Sequence, residues 1–360
     1  MSESIRFFLP GPTYVAEEVR EAMTQHPIGH RGPEFKAVHA DVRARLPAVF
    51  GTSGEVMVVT SSGSLAWDIV VRSTIRSSVL CLTNGAFSER FKTVCDAWGK
   101  KVDQVTAPWG QPIDPDLVRQ ALRRRNDYEA VTLAHNETST GVLNPLAEIA
   151  QVVREESDAL VYVDAVSSLA GAEVQTEKWG VDYLFTSSHK ALAVPPGLCF
   201  ITASERALAK AEEIEHRGYY TDLKRYHAKH LTGGTITTPA IPQIWALQKQ
   251  LDRMEKEGGM EARWQRHLEL RARTERWAAD NGYTYASTPD GASPTVSCLK
   301  PPSGSMAAPD LVAALREEKG IIVGGGYGVW KPETFRIGHM GEVQVSDLEA
   351  LFETIAELNS

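Results

Sequence analysis

No Gly-x-Gly-x-x-Gly follows the first strand-like run of this 360-residue chain, and Ser62-Gly63-Ser64 does not substitute for it. A nicotinamide dehydrogenase, which needs those glycines against a pyrophosphate, is therefore disfavoured. The absence of Gly-x-x-x-x-Gly-Lys-Ser/Thr argues in the same way against a P-loop enzyme. Cysteine is scarce: Cys81, Cys95, Cys199 and Cys298 are scattered, with no Cys-x-x-Cys spacing. Cys81 and Cys199 lie inside apolar runs, where a reduced, buried thiol is expected. Basic residues are in deficit, 38 against 46 acidic, for a net charge of −8. Nucleic acid and anionic membrane, which need a basic face, are disfavoured as partners. No apolar run approaches the length of a membrane span. Met1–Arg6 is polar and too short for the apolar region of a signal peptide. No internal repeat and no long Gly/Ser-rich linker is present. A soluble, cytoplasmic protein is expected.

What is present is ordinary globular composition, 42% hydrophobic and 23% charged, in a chain long enough for one large domain and a smaller one. Short β-rich runs at Val56–Thr60, Val79–Thr83, Ala130–Ala134, Leu160–Val163, Tyr183–Thr186 and Leu198–Thr202 read as strands. Helical stretches lie between most of them, at Ser64–Ile75, Asp114–Arg125 and Pro145–Glu156, the third introduced by Asn144 as a cap and Pro145 at its first position. Such alternation predicts an α/β fold with a mostly parallel sheet covered on both faces. Near residue 240 the pattern changes. A helical region from Ile244 to about Asp280 breaks at Gly258-Gly259, keeps an i, i+4 apolar line at Trp264, Leu268 and Ala272, and stops at Asn281-Gly282. A strand at Thr295–Leu299, a helix over Pro309–Glu318, a Gly-rich turn at Gly324–Gly326, a strand around Thr334–Ile337 and a last helix from about Ser346 complete an α+β pattern. The expected division is an arm over 1–15, a large domain over 16–255 and a small domain over 256–360.

Chemistry-bearing residues gather at strand ends, where open α/β sheets bind ligands. Lys190 follows Thr186-Ser187-Ser188-His189 and precedes an apolar segment with Pro195-Pro196-Gly197. Desolvation there favours a neutral amine, although a single lysine more often reaches out to solvent than catalyses. Asp164 ends an apolar strand; it suits protonation of a ring nitrogen, and equally the capping of a loop. Ser61-Ser62-Gly63-Ser64 opens a helix and suits an anion, as many helix starts do. Phe87, after Thr83-Asn84-Gly85-Ala86, could lie flat on a ring or belong to the core. His135-Asn136-Glu137-Thr138-Ser139-Thr140-Gly141 is a polar run that would share the same rim.

Taken in order with Pro10-Gly11-Pro12-Thr13, Gly29-His30-Arg31 before Glu34-Phe35, Val163-Asp164-Ala165-Val166-Ser167-Ser168, Pro195-Pro196-Gly197-Leu198 and Phe335-Arg336-Ile337-Gly338-His339-Met340-Gly341, these strings resemble the class V, fold-type-I aminotransferases that use pyridoxal phosphate (PLP). The resemblance is to the alanine–glyoxylate, serine–glyoxylate and serine–pyruvate branch and runs nearly end to end. It implies the PLP-transferase fold, a homodimer with a shared active site, and ping-pong amino transfer from serine or alanine to glyoxylate or pyruvate. It also implies roles for individual residues. Lys190 holds the cofactor as a Schiff base and then moves the proton. Asp164 pairs with the pyridine nitrogen, Val166 and Phe87 cover the two ring faces, and Thr138 bonds the phenolic oxygen. Ser62, Gly63, Ser64 and His189 contact the cofactor's phosphate end. Thr238 reaches the phosphate of the neighbouring subunit, and Arg336 clamps the substrate carboxylate. Gly11, His30 and Arg31 fall on the substrate side. The chain departs from many relatives at two positions: His189 where Gln precedes the lysine, and Thr235 where a Tyr stands three residues before the matching Thr.

Phosphoserine aminotransferase is a rival reading, because its relatives also carry a His-Arg pair before Glu-Phe that holds a substrate phosphate; Arg31 could equally make an interface ion pair. A desulfurase or lyase is discounted, since no Cys lies around Gly324–Gly328. His26 with His30, and His227 near His230, lack a third ligand, so solvated histidines and no metal are expected.

Overall fold

A computed structural model describes residues 6–359. The first five residues of the expected arm, and most of the polar Met1–Arg6 segment, lie outside them. Among the described residues a seven-stranded sheet runs in the order Val56–Thr60, Leu198–Ala203, Tyr183–Ser187, Leu160–Asp164, Ala130–Ala134, Ser78–Thr83, Lys101–Thr106. Leu198–Ala203 is antiparallel to both neighbours, and the other four pairings are parallel. All six strands read from the sequence are present. Lys101–Thr106 was not read as a strand: four of its six residues are polar and exposed, with only Val102 and Val105 half-buried, because it forms one edge of the sheet.

Helices cover both faces, as parallel pairing requires. Ser64–Thr74 buries Trp67, Ile69, Val70 and Val71 on one side; Leu146–Glu156 buries Ile149, Val152 and Val153 on the other. Asn144 does not cap the latter helix. Its buried amide bonds Asn84, the Ile113 N–H and the Ala134 carbonyl, and so ties three loops together.

A second sheet of five strands contains Phe7–Phe8, Ile322–Gly325, Phe335–Gly338, Val296–Lys300 and Thr284–Tyr285. Gly324 and Gly325 are therefore strand residues rather than a turn, paired with Arg336 and Phe335. The long helical region divides as expected into Ile241–Glu257 and Gly259–Asp280. The second helix corrects the expected apolar line. Leu268 is 44% exposed, and the buried face carries Arg263, His267, Leu270, Thr274 and Ala278. Polar side chains occupy that face because backbone acceptors meet them there.

Candidate active site

The strands Val56–Thr60, Ser78–Thr83, Ala130–Ala134, Leu160–Asp164 and Tyr183–Ser187 point the same way, so Ser61, Asn84, His135, Asp164 and Ser188 come to one rim. Lys190 sits in the turn beyond the last of these, closed by Val194 N–H to the Ser188 carbonyl at 3.0 Å. It is buried, 7% exposed, and its Nζ donates to the Pro10 carbonyl. Thr13 ties the arm to this turn through its N–H to the His189 carbonyl at 3.1 Å and its hydroxyl to the Lys190 carbonyl at 2.9 Å. Gly11, at φ +114°, is where the arm crosses the lysine; a Cβ there would lie 2.6 Å from Nζ. Burial lowers the Lys190 pKa to about 8, the Arg336 charge adds to this, and Asp164 and Glu137 oppose it. His189 is lowered to about 4 by burial and then by Lys190, so its imidazole is neutral.

Asp164 is buried and accepts the Val166 N–H at 2.8 Å. Burial raises its pKa to about 7 against that hydrogen bond. The Phe87 ring centre lies 5.9 Å from Lys190 Nζ. Thr138 shares a short hydrogen bond with Ser167, three residues past Asp164. Gly63 begins the helix Ser64–Thr74 with no side-chain cap, and Ser62 and Ser64 are exposed. At Gly63 a side chain would press on the Ser187 hydroxyl and on Val166 Cγ2, so the turn lies against the strand that leads to Lys190. Arg336 donates from Nε to the Gly325 carbonyl at 2.8 Å and from Nη1 to the Thr138 carbonyl at 3.1 Å. Among the described residues Nη2 makes no hydrogen bond.

Two contributors were given no role from the sequence. Glu137, wholly buried, accepts the N–H groups of Phe87 at 3.1 Å, Ser88 at 2.9 Å and Ser139 at 3.1 Å, and the Ser139 hydroxyl at 2.6 Å. It anchors the start of the helix Ala86–Ala97 that presents Phe87. A carboxylate after an apolar strand was the available signal, but its partners are a distant helix. Tyr327 stands 5.7 Å from Phe87, under the Arg336 guanidinium, with its hydroxyl 3.1 Å from Arg90 Nη2. It lies in a glycine-rich segment whose course the sequence does not reveal.

His30, Arg31, Thr235 and Thr238 are brought together elsewhere, with Lys36 and Lys229, in a cleft of about 600 Å³ that Lys190, Asp164 and Arg336 do not line. His230 is not solvated: it is buried, 3.0 Å from Glu55 and edge-on to His39.

The aminotransferase class-V family model matches residues 13–353. The chain belongs to the class-V aminotransferases. This class-V aminotransferase is 33% identical over 366 aligned residues, 99% of this chain and 94% of the relative, to the small subunit of a soluble hydrogenase from Synechococcus. It is 30% identical to alanine–glyoxylate aminotransferase 1 of Saccharomyces cerevisiae, across 95% of this chain and 93% of the relative. It also superposes on a subgroup IV aspartate aminotransferase of Thermus thermophilus with a TM-score of 0.89, at 30% identity, covering 98% and 99% of the two chains. Its fold is that of the PLP transferases.

The cofactor of this class-V aminotransferase is pyridoxal phosphate, and the residues present fit it. A buried amine with a lowered pKa faces an aromatic ring, and a buried carboxyl stands at a strand end. The buried hydroxyl of Ser187, beside the Gly63 turn, makes no hydrogen bond among the described residues. Buried polar atoms of this kind call for a ligand that bonds them.

Proposed function

We propose that this class-V aminotransferase moves the amino group of a small amino acid, alanine or serine, to glyoxylate or pyruvate by a ping-pong mechanism, as a cytoplasmic homodimer. The observation that carries the reading is Lys190: a buried amine, held by the arm, close enough to Arg336 for the two charges to repel. The name of the yeast relative supports glyoxylate as acceptor and alanine as donor. When bound, PLP supplies an electron sink that makes the substrate α-proton removable.

The chain's own residues do the rest. Arg336 holds the substrate carboxylate through its free edge and so fixes which α-bond faces Lys190. Lys190 Nζ would hold the cofactor and, as a free amine, would serve as the base that takes up the substrate α-proton and gives it back. Burial makes that amine a ready base near neutral pH, because its charged form is disfavoured. Asp164 would pair with the ring nitrogen through its buried carboxyl. Phe87 and Val166 flank the ring and exclude water. Thr138 bonds its phenolic oxygen; Ser62, Gly63, Ser64 and neutral His189 take the phosphate end. Gly11 leaves room for the lysine. Thr238 acts on the phosphate in the partner subunit. The arm over 1–15 and the domains 16–255 and 256–360 are proposed as the units that close on this site.

A phosphoserine reading keeps His30 and Arg31 as phosphate ligands; their cleft holds four basic side chains, His30, Arg31, Lys36 and Lys229. Single-turnover spectroscopy of the PLP form with alanine, serine, aspartate, phosphoserine and aminoethylphosphonate separates the readings. Fastest conversion by alanine or serine supports ours; fastest conversion by phosphoserine replaces it.

A further inference from the structure

Arg263 is wholly buried on the helix Gly259–Asp280, far in sequence from the site residues. Its guanidinium meets the chain at three places. Nε donates to the Ala170 carbonyl at 3.2 Å, in the turn that follows Asp164. Nη2 reaches the Ala191 carbonyl at 2.7 Å, directly after Lys190. The same nitrogen lies 3.1 Å from the Gly341 carbonyl, beyond the end of the Arg336 strand. One turn along the helix, buried His267 accepts the Gly341 N–H at 3.2 Å through Nε2 and donates from Nδ1 to the Arg263 carbonyl at 2.7 Å. Burial drives the His267 pKa well below its usual value, which this neutral pattern requires. The charge of Arg263 is balanced by Glu257 at 2.8 Å and Glu342 at 3.2 Å.

We propose that Arg263 is a positioning residue that sets the spacing of Asp164, Lys190 and Arg336 by holding the turns after all three on one guanidinium. The proposal rests on the roles given to those three residues above. A planar fork with fixed donor directions can register three backbone segments at once, whereas an ammonium cannot. The register matters because a shift of about 1 Å between reacting groups can cost about 100-fold in rate. It also explains why a fully buried helix face carries an arginine and a histidine rather than leucines: apolar residues would leave the three turn carbonyls without donors.

The test compares Arg263→Lys and Glu257→Gln with wild type. Arg263→Lys keeps the charge and loses the fork; Glu257→Gln keeps every carbonyl contact. For the lysine variant we expect kcat/KM to fall by about 10-fold or more, and the apo-protein to bind PLP more weakly. Hydrogen exchange of the apo-protein should lose protection together over residues 165–172, 190–194 and 339–343. Glu257→Gln should stay within about twofold of wild type in kcat/KM, as expected for a partly exposed charge partner. An Arg263→Lys protein with a lowered Tm but wild-type kcat/KM and PLP affinity would show a purely structural arginine and overturn the proposal. If that variant does not fold, His267→Leu decides. It removes one of the bonds that hold the turn after Arg336, so KM for amino donor and oxo acid should rise while PLP affinity stays constant; unchanged KM overturns the proposal. Failure of the roles themselves is read separately, as wild-type apo-protein that gains no visible band on adding PLP.

Discussion

Arg336 donates from Nη1 to the backbone carbonyl of Thr138 at 3.1 Å. The residue proposed to hold the substrate carboxylate is thereby joined to the residue proposed to hold the cofactor's phenolic oxygen. One strand belongs to the five-stranded sheet, and the other residue follows a strand of the seven-stranded sheet. On those roles the contact would place the substrate in register with the cofactor by way of the backbone. It spends one donor of Arg336.

Arg336→Ala should raise KM for both the amino donor and the oxo acid, since each carries a carboxylate. Hydrogen bonds to charged groups are worth about 1.5–3 kcal/mol, or roughly 10- to 150-fold. Arg336→Lys should recover only part of this, because a lysine cannot form the bidentate pair. Steady-state kinetics with each substrate varied in turn provides the check, and unchanged KM for both would refute the clamp.

Lys190→Ala should abolish the visible absorbance band of the lysine-bound cofactor; a retained band would sink the central claim. The wild-type apo-protein should capture PLP with a pH dependence set by the amine. Burial, helped by Arg336, lowers the Lys190 pKa from 10.5 to about 8. Only the neutral amine reacts, so the capture rate should rise with pH and level off above about 8. Stopped-flow absorbance between pH 6.5 and 9.5 tests this, with about 8 as the expected midpoint. A rate still climbing tenfold per pH unit at 9.5 would show an unshifted lysine.

Glu137→Ala would leave the N–H groups of Phe87, Ser88 and Ser139 without their buried acceptor. The expected loss is about 3 kcal/mol or more, on the scale of breaking a buried charged hydrogen-bond set. Thermal unfolding should show a clear drop in Tm, and visible circular dichroism of the holoenzyme should weaken as Phe87 loses its fixed place. A Tm within experimental scatter of wild type would contradict this account of the helix Ala86–Ala97.

Arg31→Ala should change turnover of serine and phosphoserine equally if alanine or serine is the natural donor, because Arg31, in the cleft it shares with Thr235 and Thr238, then has no substrate phosphate to hold. A selective loss with phosphoserine, measured as kcat/KM for each donor, would favour the phosphate-binding alternative.

Much of this site was legible in the residue order. Strands of β-branched and apolar residues are local features, so Thr60, Ala134, Asp164 and Thr186 could be placed at strand ends from sequence alone. Parallel pairing then implied a shared rim. Lys190 and Asp164 were recognisable because charged groups in apolar surroundings are costly without a purpose; Arg336 came only from the resemblance to the class V aminotransferases. Exposed Lys101–Thr106 escaped notice, since an edge strand needs little apolar character. Asn144 was mistaken for a cap because its three partners are distant in sequence.

The sequence by itself determined six of the seven strands of the large sheet and the family to which the chain belongs, and it supplied the lysine, carboxylate and arginine as candidates. Only the tertiary structure decided which face of Gly259–Asp280 is buried, what Glu137 holds and how Arg336 meets Thr138. The physical reason is the range of the forces involved. Apolar periodicity is written in neighbours three or four residues apart. A buried guanidinium or carboxylate is stabilised by carbonyls and N–H groups that chain folding brings from far along the sequence, and no local pattern records them.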